Sequence, residues 1–226
     1  MKAEYVKIIV DAQSSVSGVL GVPRDLKYNS GIILAHGAHN DMNHPLIRFI
    51  HEDLARRGYL TLKFNFLYRE LGRKKLDSLQ DLMNCYKKAI QLFIKYGNDK
   101  INHLFIGGKS LGGRIASYLA EEIPLIKGLI FLGYPLHKPG KTEEVRDKHL
   151  YAINKPMLFL AGTKDSFAQR DLLEKVISKL SPRAYLHLIP EGNHSFRLPK
   201  DLSRSQKEVY QEISQIIYQW IKGIVQ

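Results

Sequence analysis

The stretch His103–Ser117, HLFIGGKSLGGRIAS, decides the fold of this chain. Its first half, HLFIG, is apolar at nearly every position, as strands are when helices cover both faces of a parallel sheet. Its second half runs into RIASYLAEE, an amphipathic helical pattern. Between them stands Gly108-Lys109-Ser110-Leu111-Gly112, a G-x-S-x-G motif in the strand–turn–helix setting that a nucleophile elbow demands. The serine of such an elbow sits on a strained turn. The positions two before and two after it face a neighbouring strand and helix, which leave no room for a Cβ. With 17 glycines among 226 residues, chance supplies roughly 0.08 such motifs in a chain of this length, and the strand–helix setting makes an accident rarer.

A rival motif overlaps it. Gly108-Lys109-Ser110 is also the tail of a phosphate-binding loop, G-x-x-x-x-G-K-[ST]. The first glycine of that loop would fall at position 103, where this chain has His103, inside the strand. No loop remains to wrap phosphates, so the nucleotide-binding reading fails.

Working outward, short apolar runs alternate with helical patterns. Strands are predicted at Tyr5–Val10, Val16–Val22, Gly31–Ala35, Leu60–Phe66, His103–Gly107, Gly128–Leu132, Met157–Ala161 and Ala184–Ile189. Amphipathic helices are predicted at Pro45–Arg57, Asp77–Tyr96 (with Asp77 and Gln80 as a capping pair), Arg170–Leu180 and a last segment opened by the capping box Ser205-x-x-Glu208. The first two strands are close enough to pair as a hairpin; thereafter strand and helix alternate. The fold class is α/β: an open, mostly parallel sheet of about eight strands with helices on both faces. Pro135–Asn154 is polar and irregular, with one helical turn at most. It leaves too little material for a large cap, so the site should be shallow and open. With no repeat or linker, residues 1–226 read as a single domain.

Open parallel sheets bind ligands outside the carboxyl ends of their strands, so the residues that follow each strand matter most. A serine hydroxyl needs a base, and the base needs a partner that holds its tautomer. Asp165 follows MLFLAG and His194 follows AYLHLIPEGN, giving the chain order Ser110, Asp165, His194. Glu191 is the alternative acid, but three residues before His194 on one loop it is awkwardly placed. The developing oxyanion needs backbone N–H donors. Leu111, directly after the nucleophile, and Ala38, in the loop His36-Gly37-Ala38-His39, are the candidates. His36, His39, Asp41 and His44 form a local cluster, yet their spacing matches no metal-binding template, and no metal or other cofactor is expected. Tyr68 and Arg69 are placed to line the mouth of the site, and His36, His39 and Lys109 are further pocket candidates.

Composition bounds the partners. The chain carries a net charge of +12, but its densest basic stretch, Arg69–Lys75, has no interleaved aromatics and matches no nucleic-acid module. A single cysteine, Cys85, excludes an internal disulfide and favours a reducing compartment. No apolar run is long enough to span a bilayer and the first residues offer no signal peptide, so a cytoplasmic location is expected.

The combination LAHGAHNDMNHP, LKFNFLYRELGRKKLD, GGKSLGGRIAS, LAGTKD and GNHSF resembles the predicted α/β-hydrolases related to dienelactone hydrolases. Within them it is similar to the branch holding the testis-expressed hydrolase-like protein and the hydrolase-like domain of a non-specific-lethal complex subunit. The resemblance runs from about Gly31 to the carboxyl terminus. It implies the same nucleophile, acid and base at Ser110, Asp165 and His194, and an oxyanion loop at His36–Ala38. Dienelactone hydrolases proper carry a cysteine at the elbow, so their substrate does not follow for Ser110. The family pattern often has Gly in place of His39 and Pro in place of Leu67, departures expected to reshape the pocket floor. The expectation is a serine hydrolase acting on a small-molecule ester, thioester or amide. A hydrolase-like scaffold and an acyltransferase are the alternatives.

Overall fold

The computed structural model describes residues 1–225. Eight strands form one sheet: β1 (Lys2–Ile9), β2 (Ser15–Val22), β3 (Ser30–Ala35), β4 (Leu60–Phe64), β5 (His103–Lys109), β6 (Ile126–Leu132), β7 (Met157–Gly162) and β8 (Ala184–Ile189). Their spatial order is β1-β2-β4-β3-β5-β6-β7-β8. The hairpin β1–β2 and the pair β2–β4 are antiparallel, and every other pairing is parallel. Because β4 and β5 flank β3 on opposite sides, the connections leaving β3 and β5 part company there, and a crevice opens at the carboxyl ends of these strands.

Six helices cover the sheet: α1 (Pro45–Arg56), α2 (Leu67–Glu70), α3 (Leu79–Gly97), α4 (Leu111–Leu119), α5 (Arg170–Leu180) and α6 (Gln206–Val225). The continuous apolar strands are explained by this cover. Along β3, Ile32 and Leu34 pack on the side of α1 and α6, while Ile33 and Ala35 pack against α3 and α4. Side chains alternate as in any strand, but both faces are dry.

Several boundaries differ from the sequence expectation. The fifth strand runs on to Lys109, because β3 and β6 pair with it on both sides and override the two glycines. The fourth strand stops at Phe64, and beyond it the Phe66 N–H is taken by a histidine ring instead of a sheet partner. Helix α3 is capped not by Asp77 but by Ser78, whose Oγ accepts the Asp81 N–H at 3.1 Å. Asp77 instead accepts the Tyr68 N–H at 2.8 Å and pairs with Arg73. A short helix, α2, stands where none was expected. The capping box before α6 forms as read, with Glu208 accepting from the Ser205 N–H at 2.7 Å.

The segment after β6 is irregular apart from a 3-10 turn at Lys148–Ala152 and adds no cap domain. It is fixed to α4 where Ser117 meets His149 at 2.8 Å. Among the described residues, no helix is long and apolar enough to cross a membrane.

Tyr86 on α3 has a second role beyond filling the core. Its fully buried hydroxyl accepts the Gly107 N–H at 3.0 Å and lies 3.1 Å from the Ile33 carbonyl and 2.8 Å from that of Gly107. One phenol thereby ties β3 to β5 just below the elbow.

Candidate active site

Ser110 lies between β5 and α4 with φ +49° and ψ −112°. A residue with a Cβ pays energy to hold a positive φ. The turn is held by the Ser110 N–H on Leu132 O at 3.0 Å and by the Arg114 N–H on Ser110 O at 3.1 Å. The motif glycines are needed because both press on one atom, the Ala35 carbonyl oxygen. A Cβ on Gly112 would stand 2.5 Å from it, and one on Gly108 would collide with it.

His194 Nε2 lies 2.9 Å from Ser110 Oγ, and His194 Nδ1 lies 2.9 Å from both oxygens of Asp165. A carboxylate only accepts, so Nδ1 carries the proton and Nε2 is free to accept from the serine. The Asp165 side chain is wholly buried and that of His194 is 16% exposed. The acid is therefore shielded from water while the base reaches the surface.

Local structure explains this placement. Asp165 Oδ1 also accepts the Phe167 N–H at 2.8 Å. The loops after β7 and β8 are laced together by Lys164 N–H on Gly192 O at 2.9 Å and Glu191 N–H on Thr163 Oγ1 at 2.8 Å. Asn193 folds its side chain back onto the chain, with Oδ1 accepting from the N–H groups of Ser195 (2.8 Å) and Arg197 (3.1 Å). Buried Phe196 then anchors that turn in the core. The Phe167 ring packs 4.3 Å from the His194 ring, centroid to centroid. Gly133, at φ +68°, lies against His194: a Cβ there would stand 3.1 Å from the His194 carbonyl oxygen. Asn193 could be anticipated, since Asn commonly bonds its own backbone two residues on. Nothing in the sequence marks Phe167 or Gly133. Glu191 is exposed and turned toward Lys164 at 4.0 Å, not toward His194.

The loop after β3 supplies the other side of the site. The Ala38 and Leu111 N–H groups have no acceptor among the described residues. His36 is completely buried. Its Nδ1 lies 2.8 Å from Gly37 O, and its Nε2 accepts the Phe66 N–H at 3.1 Å. Burial pulls its pKa down to about 4. With both nitrogens engaged and no exposed surface it does not line a pocket, which corrects the pocket expectation. Among the described residues no group of three or more His, Cys, Asp or Glu side chains is arranged to hold a metal ion.

Tyr68 is also corrected. It is fully buried beneath the loop, 6.0 Å from the His36 ring and 6.5 Å from that of Phe66, and does not reach the mouth. Lys109 is 4% exposed. Burial lowers its pKa, with Asp165 acting in the opposite sense, so it belongs beneath the site and not on its rim. His39 and Arg69 do line a cleft of about 340 Å³ beside the loop, with Asn40, Asp41, Asn43 and His44. A cleft of about 420 Å³ between Val22, Leu60, Tyr96 and Ile101 lies at the opposite edge of the sheet and holds no hydroxyl–imidazole pair.

The two departures from the family pattern have a backbone explanation. His39 sits at φ +63°, a conformation natural to Gly. Leu67 is the first residue of α2, after the Phe66 cap, where Pro is favoured. The His39 side chain is exposed and lines the cleft beside the loop.

The same architecture recurs in solved structures. A dienelactone hydrolase from Anabaena variabilis matches at 17% identity and a TM-score of 0.76, over 100% of this chain and 99% of that one. An α/β serine hydrolase without lid from Xanthomonas campestris matches at 14% and 0.72, over 97% and 95%. The esterase domain of a Rhodothermus marinus protein matches at 16% and 0.74, over 100% of both. At such identities the likeness is one of fold. The sequence itself matches a family described as the alpha/beta hydrolase domain over residues 29–222, from the start of β3 to the last helix. The chain belongs to the α/β-hydrolase family.

Proposed function

We propose that this chain is a serine hydrolase that cleaves a small-molecule ester, thioester or amide through an acyl-enzyme. The observation that carries the reading is the unbroken hydrogen-bonded chain from Asp165 through His194 to Ser110, with each link at 2.9 Å. Ser110 Oγ attacks the substrate carbonyl as its proton passes to His194 Nε2. Asp165 stabilises the imidazolium without itself taking a proton. The negative charge that develops on the carbonyl oxygen is met by the unpaired N–H groups of Ala38 and Leu111. Such donors are typically worth about 10²–10³ in rate each. His194 then returns its proton to the leaving group, and water enters and repeats the sequence to free the acyl group.

Two features narrow the substrate to small or extended molecules: the absence of a cap domain, and a polar cleft beside the oxyanion loop. The likeness in fold to an esterase domain and to a serine hydrolase without lid supports the same reading. A panel of p-nitrophenyl esters of rising chain length, run beside Ser110→Ala, tests it. Turnover should be measurable for the short esters and fall by about 10⁴-fold or more in the variant, with circular dichroism unchanged. Equal turnover by the variant would assign the nucleophile elsewhere.

A further inference from the structure

The fully buried hydroxyl of Tyr68 has no hydrogen-bond partner among the described residues. Leaving such a group unpaired is costly, and natural structures keep few of them without a use. Its position is specific. The ring packs against one side of the adjoining His36 and Phe66 rings, and the His39 backbone lies beside the hydroxyl outside hydrogen-bond geometry.

That part of the chain is held on both sides of Ala38 and His39. His36 is fixed through both ring nitrogens, and the Asn40 N–H reaches back to Gly37 O at 3.2 Å. Between them His39 holds φ +63° with a Cβ present, a conformation that must be supported by its surroundings. Ala38, whose N–H faces the reacting carbonyl in the proposed mechanism, is the residue immediately before it. The hydroxyl is shielded from solvent, so it cannot touch a substrate directly; anything it does passes through the loop.

We propose that Tyr68 is a positioning residue of the oxyanion loop, whose hydroxyl closes on the His39 N–H only when a tetrahedral oxyanion draws the adjoining Ala38 N–H into place. This rests on the serine-hydrolase reading and deepens it. A bond absent in the resting enzyme and made in the transition state stabilises only the latter, and therefore raises kcat rather than binding. Hydrogen bonds that are long at rest and tighten on reaction are common in active sites.

The test is Tyr68→Phe, which keeps the ring and its packing. Esterase kinetics on p-nitrophenyl butyrate should show kcat lower by about tenfold, one hydrogen bond's worth, with KM within about twofold. Melting temperature should be unchanged or higher, because the unpaired hydroxyl is gone. A purely structural tyrosine gives the opposite pattern: a lower melting temperature, or a failure to fold, overturns the proposal because the bond is then already made at rest. An unchanged kcat overturns it as well. Fluorophosphonate labelling of the wild type separates the two levels. A wild-type protein that neither labels nor turns over ester brings down both readings; an active wild type matched by Tyr68→Phe brings down only this one.

Discussion

The two halves of the site are finished to different degrees. On the side of β7 and β8, polar atoms are matched: Asp165 is shared between His194 and the Phe167 N–H, and His194 spans from Asp165 to Ser110. On the side of β3 and β4 the reverse holds. The Ala38 N–H is open, as is the Leu111 N–H facing that side from the start of α4; Tyr68 Oη, Arg69 Nε and His44 Nδ1 are buried without partners among the described residues, and His39 is held at positive φ. The difference follows the chemistry. An imidazole must keep one tautomer and one orientation before substrate arrives, whereas donors to an oxyanion have no charge to meet until it forms. In the proposed mechanism the base is assembled at rest, and the oxyanion side is completed by the reaction.

The sharpest way to break this contrast is to spoil the finished half. Asp165→Asn keeps an acceptor for the Phe167 N–H but offers an amide to His194 Nδ1, so the ring takes the wrong tautomer. Ester turnover should fall by about 10³–10⁴-fold in steady-state assays while thermal unfolding changes little. A loss of less than tenfold would mean that the assembled half is not what drives catalysis.

A smaller effect probes the anchor of the unfinished half. The pKa of His36 is lowered by burial from an ordinary value near 6.5 to about 4. The unfolded chain therefore binds this proton more readily, and stability present above pH 6.5 is lost as pH falls toward 4. Between pH 7 and pH 5 this one residue should cost about 2 kcal/mol. His36→Gln should therefore lose that much less than the wild type in urea unfolding at the two pH values. His44 and His51, lowered by burial to about 4 and about 3, keep part of the acid sensitivity in both proteins. Identical pH dependence would place the protonation of His36 outside the acid response.

The smallest effect sharpens the comparison through a pair of tyrosines. Tyr86, whose hydroxyl is fully engaged between β3 and β5, should destabilise by about 1.5 kcal/mol on change to Phe, because the buried Gly107 N–H loses its acceptor. Tyr68→Phe should not. Denaturant midpoints of the two variants measured together distinguish a satisfied phenol from an unsatisfied one, and equal losses would erase the distinction.

What was legible in the sequence divides along similar lines. The sheet, the elbow at Ser110 and the loops bearing Asp165 and His194 could be read because each rests on local signals: apolar strand runs, glycines forced by close packing, and polar residues just past strand ends. The other half was legible only in the loop that bears Ala38. Tyr68 and His36 look like pocket residues in a polar stretch, and only the packing of the β4–α2 turn against the β3 loop buries them. Asp77 looked like a cap, but Ser78 took that role and left the carboxylate to hold the Tyr68 N–H. Burial and partner choice at such positions are set by tertiary contacts that no local pattern encodes.

The central claim, that Ser110 is the activated nucleophile, is tested most directly by covalent labelling. Native protein treated with a fluorophosphonate should gain one phosphonyl group, located on Ser110 by peptide mass spectrometry, and Ser110→Ala should gain none. Absence of labelling in folded wild-type protein, or labelling that persists in Ser110→Ala, would contradict the account.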